Sequence, residues 1–260
     1  MRSRFFLWFA AMALLSPFAL AGAAFAASDD SYLLALTWQP GFCASGDHAK
    51  GAECKASNAP RFTLHGLWPD WDVNGDGRQN ADDAYCLPGE SGRKSILELE
   101  ALAGKDGDWR KLPEVTLSAA SRSDLAGVMP GVQVGLERHE WWKHGTCSGL
   151  QPDDYFATAI LLLRQAERGA LAHLVTGQAG KIVDRNALLK AFAQDFGPQS
   201  TRALTLDCAR IGAASALMEI RIRVKRDSIA RGLNADGLAI PEKAPRGDCA
   251  AKILIPKSGP

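Results

Sequence analysis

Tyr32-Leu33-Leu34-Ala35-Leu36-Thr37-Trp38 is rich in strand-favouring residues, is apolar on both faces, and is closed by Pro40-Gly41. A strand of that kind belongs in the middle of a sheet, where both sides are covered. Leu217 to Val224 has a different pattern: Met218, Ile220, Ile222 and Val224 alternate with Glu219, Arg221 and Arg223, the signature of an antiparallel strand with one wet face. Phe62-Thr63-Leu64-His65 reads as a third, short strand, with Phe62 and Leu64 on one face and Thr63 and His65 on the other, so that His65 ends it on the polar side. Short helices are expected over Ser95 to Ala103 and Leu136 to His144. A longer one is capped by Asp153 and carries Tyr155, Phe156, Ile160, Leu161 and Leu163 toward Arg168. Asp184 caps another, with Leu188, Leu189, Phe192 and Phe196 at helical spacing and Gly197-Pro198 as its stop. Residues 41 to 60 and 70 to 92 read as loops. Strands and helices interleave irregularly and no linker divides them, which predicts one α+β domain with a central antiparallel sheet flanked by helices.

The chain has 260 residues, of which 47% are apolar and 23% charged, and it shows no repeat period. That excludes a disordered chain, a solenoid and a miniprotein held by disulfides alone. Arg2 and Arg4, the apolar run Phe5 to Leu20 and Ala24-Phe25-Ala26 form a secretory signal over residues 1 to 26, with a mature domain over 27 to 260. The apolar run is short for a membrane anchor, which needs ~20 residues, and nothing after it could span a bilayer. Without Arg2 and Arg4 the net charge moves from +1 to −1. A basic protein that coats polyanions is thereby excluded, although a local basic groove is not. All six cysteines (Cys43, Cys54, Cys86, Cys147, Cys208 and Cys249) follow the signal, as in an exported disulfide framework with fifteen possible connectivities. No C-x-x-C pair or clustered Cys/His spacing points to zinc.

Two segments carry the chemistry: FTLHGLWPDW at 62 to 71 and HEWWKHGTC at 139 to 147. In the second, Glu140 and His144 are four apart, as are His139 and Lys143, so a helix stacks each pair. A zinc protease would need histidines at i and i+4, where Lys143 stands instead. His139 and His144 lie about 140° apart around a helix, too far to share one ion without distortion. Two histidines without a metal suit RNA cleavage, because the ribose 2′-OH beside the scissile phosphate is a built-in nucleophile. One imidazole removes its proton, the other protonates the departing 5′ oxygen, and cationic donors stabilise the anionic phosphorane.

HGLWP after an apolar strand, HEWWKHGTC some 70 residues later and the early YLLALTWQPGFC run together resemble the ribonuclease T2 family. The resemblance implies an endoribonuclease of little base preference that yields 2′,3′-cyclic phosphates and then 3′-phosphates, without a metal or other cofactor. By motif position His144 is the general base and His65 the general acid. Glu140 and Lys143 stabilise the transition state, His139 holds phosphate, and Trp68 and Asp70 contact a base. The resemblance also implies the pairs Cys43–Cys54, Cys86–Cys147 and Cys208–Cys249. The expected partner is RNA, and the expected state a monomer in the periplasm or medium, where near-neutral charge favours turnover over tight nonspecific binding. Trp141 and Trp142 are expected in the core or at the rim of the site, and His48 and His173 at the surface.

Asp72 to Asp83 departs from the family pattern. It places oxygen ligands at positions 1, 3, 5, 9 and 12 and glycine at 6, the order of an EF-hand or dockerin calcium loop, although position 12 is Asp and no apolar helix precedes it. A structural calcium is one expectation for this loop and a polar turn the other. A calcium-binding or adhesion module on an inactive scaffold is the alternative function, but it would have lost a catalytic histidine, and His65 and His144 are both present.

Overall fold

The computed structural model of the chain describes residues 30–46, 51–72, 83–245 and 247–259. The signal segment, His48 and residues 73 to 82 of the calcium-like loop lie outside them. In chain order the elements are β1 (Ser31–Trp38), α1 (Gln39–Ala44), α2 (Ala52–Ala56), β2 (Phe62–Asp70), α3 (Glu90–Asp106), α4 (Ala119–Val128), α5 (Leu136–Lys143), α6 (Pro152–Ala166), α7 (Ala170–Gly177), β3 (Ile182–Asp184), α8 (Arg185–Phe196), β4 (Leu204–Ile211), β5 (Ala214–Lys225) and β6 (Lys252–Leu254), with short 3-10 turns between some of them.

β1 lies between β2 and β5, antiparallel to both. The sheet runs β2-β1-β5-β6-β3, and β4 also pairs with β5. One face is apolar: Tyr32, Leu34, Leu36 and Trp38 of β1 join Leu64 and Leu67 of β2 and Ile220, Ile222 and Val224 of β5 in a buried cluster. Tyr155, Phe156, Ile160, Leu162 and Leu163 of α6 belong to the same cluster, each side chain contributing about 1.5–3 kcal/mol through burial. The opposite face, with Thr37, Glu219, Arg221 and Arg223, is half-buried and carries the site.

The expected α+β architecture is therefore present, and β1 is central. Several boundaries differ for local reasons. Residues 41 to 60 are not all loop, because Pro40 occupies the first turn of α1 and α2 follows. The long helix starts at Pro152 with Gln151 as its cap, while Asp153 and Asp154 fill the first turn, where the helix dipole favours carboxylates. β2 does not end at His65 but continues to Asp70. Its Gly66 and Pro69 are poor strand formers, yet β2 is an edge strand, where a missing N–H is tolerated.

Two β-bulges set which residues face the site. Along β1 and β2, Ala35 pairs with Gly66 and Leu36 with Leu64, so His65 is the extra residue. Leu64 and Leu67 both reach the core although they are three apart, and His65 and Trp68 both reach the other face. Along β4 and β5, Asp207 pairs with Glu219 and Cys208 with Leu217, so Met218 is the extra one. Met218 thus leaves the Ile220 face where strict alternation puts it.

The implied disulfides are all present: Cys43–Cys54, Cys86–Cys147 and Cys208–Cys249. Cys86–Cys147 fastens the segment before α3 to the turn that follows α5.

Candidate active site

The bulge in β2 aims His65 and Trp68 at α5, whose residues Leu136 to Lys143 present His139, Glu140 and Lys143, with His144 as the helix C-cap. Glu140 is fully buried, an expensive place for a carboxylate without partners. Trp68 Nε1 donates to Glu140 Oε2 at 2.7 Å. The other oxygen, Oε1, has no hydrogen-bond partner among the described residues. It lies 3.7 Å from His65 Nε2 and 4.0 Å from His139 Nε2, so the carboxylate stands between two imidazoles.

Gly66 makes this burial possible. A Cβ at Gly66 would sit 1.9 Å from Glu140 Oε2 and 2.4 Å from Trp68 Nε1. Gly66→Ala should therefore push Glu140 aside and lower turnover by about 10–100-fold, as expected when a buried electrostatic group is displaced. Initial rates on RNA, with a melting curve to establish folding, measure this. Wild-type rates would mean that the Glu140 position does not matter.

His144 stacks on Trp68, with ring centroids 5.3 Å apart and planes 28° apart. His139 packs on Trp109 at 4.2 Å between centroids, and its Nδ1 meets the Glu100 carboxylate from α3. His65 Nδ1 bonds Glu219 Oε2 of β5 at 2.5 Å. A cavity of about 740 Å³ opens beside His65 and His139, bounded by Gln39, Trp109, Met218 and Glu219.

The environments drive the titrations apart. Burial pulls the His65 pKa down, but the Glu219 hydrogen bond and the charges of Glu140 and Glu219 outweigh it, and the net shift is upward from the usual value near 6.5. His144 is held well below its usual value, first by burial and then by the positive charges of Lys143, His139 and His65. Burial raises the Glu140 carboxyl despite His65, His139, Trp68 and Lys143. The two shifts run in opposite directions, favouring the protonated ring at His65 and the neutral ring at His144, on either side of Trp68.

His139 and His144 converge on Glu140, and more closely than the 140° helix angle used against a shared ion implies. Their ring centroids are 6.2 Å apart, and one ligand-type atom from each lies within 4.8 Å of a Glu140 oxygen. The 140° separation holds only inside a helix, whereas His144 is the cap, with φ −115° and ψ −47°. The 4.0 Å between His139 Nε2 and Glu140 Oε1 is nonetheless wider than the ~3.3 Å edge that zinc bonds of 2.0–2.1 Å imply.

Asp70 is not brought to this cluster. It pairs with Arg223 and accepts from Ser31 Oγ at 3.4 Å, five residues and ~17 Å of strand beyond His65. Trp141 packs edge-on against Tyr155, Trp142 Nε1 donates to the Pro113 carbonyl at 2.8 Å, and His173 is exposed. Sequence reading missed Glu219, Trp109 and Glu100. Glu219 stood on the wet face of an alternating strand, with no local signal tying it to a histidine 154 residues earlier.

A sequence model described as the Ribonuclease T2 family matches residues 29–232. Ribonuclease I of Escherichia coli strain K12 is 34% identical over 242 residues, covering 88% of this chain and 87% of its own. Among solved structures, the self-incompatibility-associated SF11-RNase of Nicotiana alata aligns with a TM-score of 0.53 at 16% identity, covering 88% of this chain and 99% of that one. Ribonuclease MC1 from bitter gourd seeds gives 0.50 at 22% identity, covering 86% and 99%. These two likenesses concern the fold, and nothing in the three relatives favours a calcium-binding adhesion module.

Proposed function

The chain belongs to the ribonuclease T2 family and is an endoribonuclease, and from that premise we propose that it cuts RNA by acid–base transphosphorylation with His144 as base and His65 as acid. The observation that carries the assignment is geometric: His65, bonded to Glu219 at 2.5 Å, and His144, stacked on Trp68, flank that indole, and their surroundings favour a proton on the first and disfavour one on the second. His144 takes the 2′-OH proton, O2′ attacks phosphorus, and His65 gives its proton to the departing O5′, leaving a 2′,3′-cyclic phosphate. In the second stage the roles reverse: His65 takes a proton from water, His144 returns one to O2′, and a 3′-phosphate results.

Glu140 and Lys143 act on the phosphorane. The buried carboxyl with its raised pKa is suited to donate a hydrogen bond to a phosphoryl oxygen when protonated, and Lys143 supplies positive charge. His139, braced by Glu100 and Trp109, holds phosphate. Trp68 contributes a stacking surface as well as the bond that fixes Glu140, while Asp70, paired with Arg223 through Oδ2, contacts a base. The active form is a monomer of residues 27 to 260 after signal removal, in the periplasm or medium. The signal-like start and three disulfides support that location. Among the described residues no helix is long and apolar enough to cross a membrane.

The test is RNA digestion by the mature protein in EDTA, followed by analysis of the terminal phosphates and of the bases flanking each cut. Cleavage should persist, with cyclic phosphates appearing before 3′-phosphates. Loss of cleavage in EDTA, or 5′-phosphate ends, would overturn the mechanism. Calcium at the 72 to 83 loop would act on stability alone, raising the melting temperature in a way that Asp72→Ala with Asp76→Ala removes.

A further inference from the structure

We propose that Glu219 is the positioning residue for the acid: it holds His65 in one orientation and one tautomer, so that the proton delivered to the leaving group always comes from Nε2. The inference rests on the assignment of His65 as the general acid. Neither signature segment contains Glu219, and it reaches the site from β5, across β1.

Three observations carry it. Glu219 Oε2 and His65 Nδ1 are 2.5 Å apart, the distance of a charge-assisted hydrogen bond, with Nδ1–H donating. That commits Nδ1 and turns Nε2 toward the unpartnered Glu140 Oε1, 3.7 Å away, and so toward the cluster that α5 presents. Glu219 is itself braced. The bulge at Met218 fixes the local phase of β5, and Arg221 stands 3.7 Å from Glu219 Oε1 while it bonds Asp207 at 2.7 Å.

His65 needs such a partner because it is the extra residue of a bulge, in an edge strand, with 34% of its side chain exposed. Glu219 from β5, Glu140 and Lys143 from α5, and His144 beyond Trp68 are the charged or titratable groups around it. Of these Glu219 alone makes a direct hydrogen bond to the ring. When Nε2 releases its proton, the ring stays neutral with its remaining proton on Nδ1, bonded to Glu219. Nε2 is then ready to accept a proton from water in the second stage. A carboxylate that orients an imidazole in this way can be worth several orders of magnitude in other hydrolases.

The experiment compares two substrates in the mature enzyme: an RNA dinucleotide, whose alkoxide leaving group needs a proton, and uridine 3′-(4-nitrophenyl phosphate), whose phenolate does not. Glu219→Gln should lower kcat on the dinucleotide by about 10–100-fold with little change in KM, and alter the aryl ester rate by less than about threefold. The alkaline limb of its pH profile should move to lower pH, because the Nδ1–H bond loses its charged acceptor. Glu219→Asp keeps the charge but is one methylene shorter, so it should recover part of both effects. It also provides the measurement if the glutamine variant folds poorly. Equal losses on both substrates, or no loss on either in a variant with normal melting, would overturn the inference. His65→Ala in the same assays separates the two levels. If it slows both substrates equally, His65 is not the acid; if it spares the aryl ester while Glu219→Gln shows no selectivity, only the role of Glu219 fails.

Discussion

Replacing either His144 or His65 with alanine should lower kcat/KM on RNA by at least ~10²-fold, because each imidazole carries one proton transfer. The pH profile shows which transfer has been lost. In the wild type, activity should fall on the acid side when His144 gains a proton, and that limb lies well below pH 6.5 because burial and Lys143 disfavour the charged ring. On the alkaline side it should fall when His65 loses its proton, above 6.5, because Glu219 and Glu140 hold that proton against the effect of burial. The result is a plateau broader than two unperturbed histidines would allow. His144→Ala should flatten the acid limb of the residual activity, and His65→Ala the alkaline limb. Initial rates from pH 4 to 9 with variants of confirmed melting behaviour are sufficient. Interchanged limbs would reverse the acid and base, and survival of both limbs in both variants would remove the histidines from the chemistry.

An RNA with a single 2′-deoxy linkage should bind normally and remain intact at that linkage, while its neighbours are cut. The nucleophile is part of the substrate, and its placement beside phosphorus accounts for most of what makes attack feasible; comparable intramolecular reactions reach effective molarities of ~10⁵–10⁸ M. Removing the oxygen takes away that entire contribution, and no side chain of the site is proposed to replace it. Mapping of the fragments gives the answer directly, with binding of the all-deoxy strand measured separately. A cut at the deoxy position would mean that an activated water attacks phosphorus. Attention would then turn to His139, Glu140 and His144, whose ligand-type atoms face one another.

Much of the fold could be read locally. The alternation from Glu219 to Val224, the two-sided apolar run of β1 and the spacing of Leu188 and Phe192 on α8 each depend on residues two to four apart, and all three elements form. β2 runs past His65 to Asp70 although Gly66 and Pro69 are poor strand formers on average. At an edge, next to a helix that needs room for Glu140, they are acceptable and at Gly66 required. Asp70 could be placed only by its motif position, and its pairing with Arg223 of β5 left no local trace.

By itself the sequence determined the export-like start, the six cysteines, the mixed α and β content and the two segments that hold the candidate acid–base residues. Those features are carried by composition, by short-range periodicity and by contiguous motifs, which exist before the chain folds. Tertiary structure alone decided that His65 and Trp68 share a face, that Glu219 meets His65, that His144 turns toward His139 at a helix end, and that Glu140 is buried with one oxygen unpartnered. The first two depend on which strands pair and where a bulge shifts the register by one residue, and the last two on how α5 ends and packs against β2. Such a shift moves every later side chain to the opposite face, and no local pattern records it.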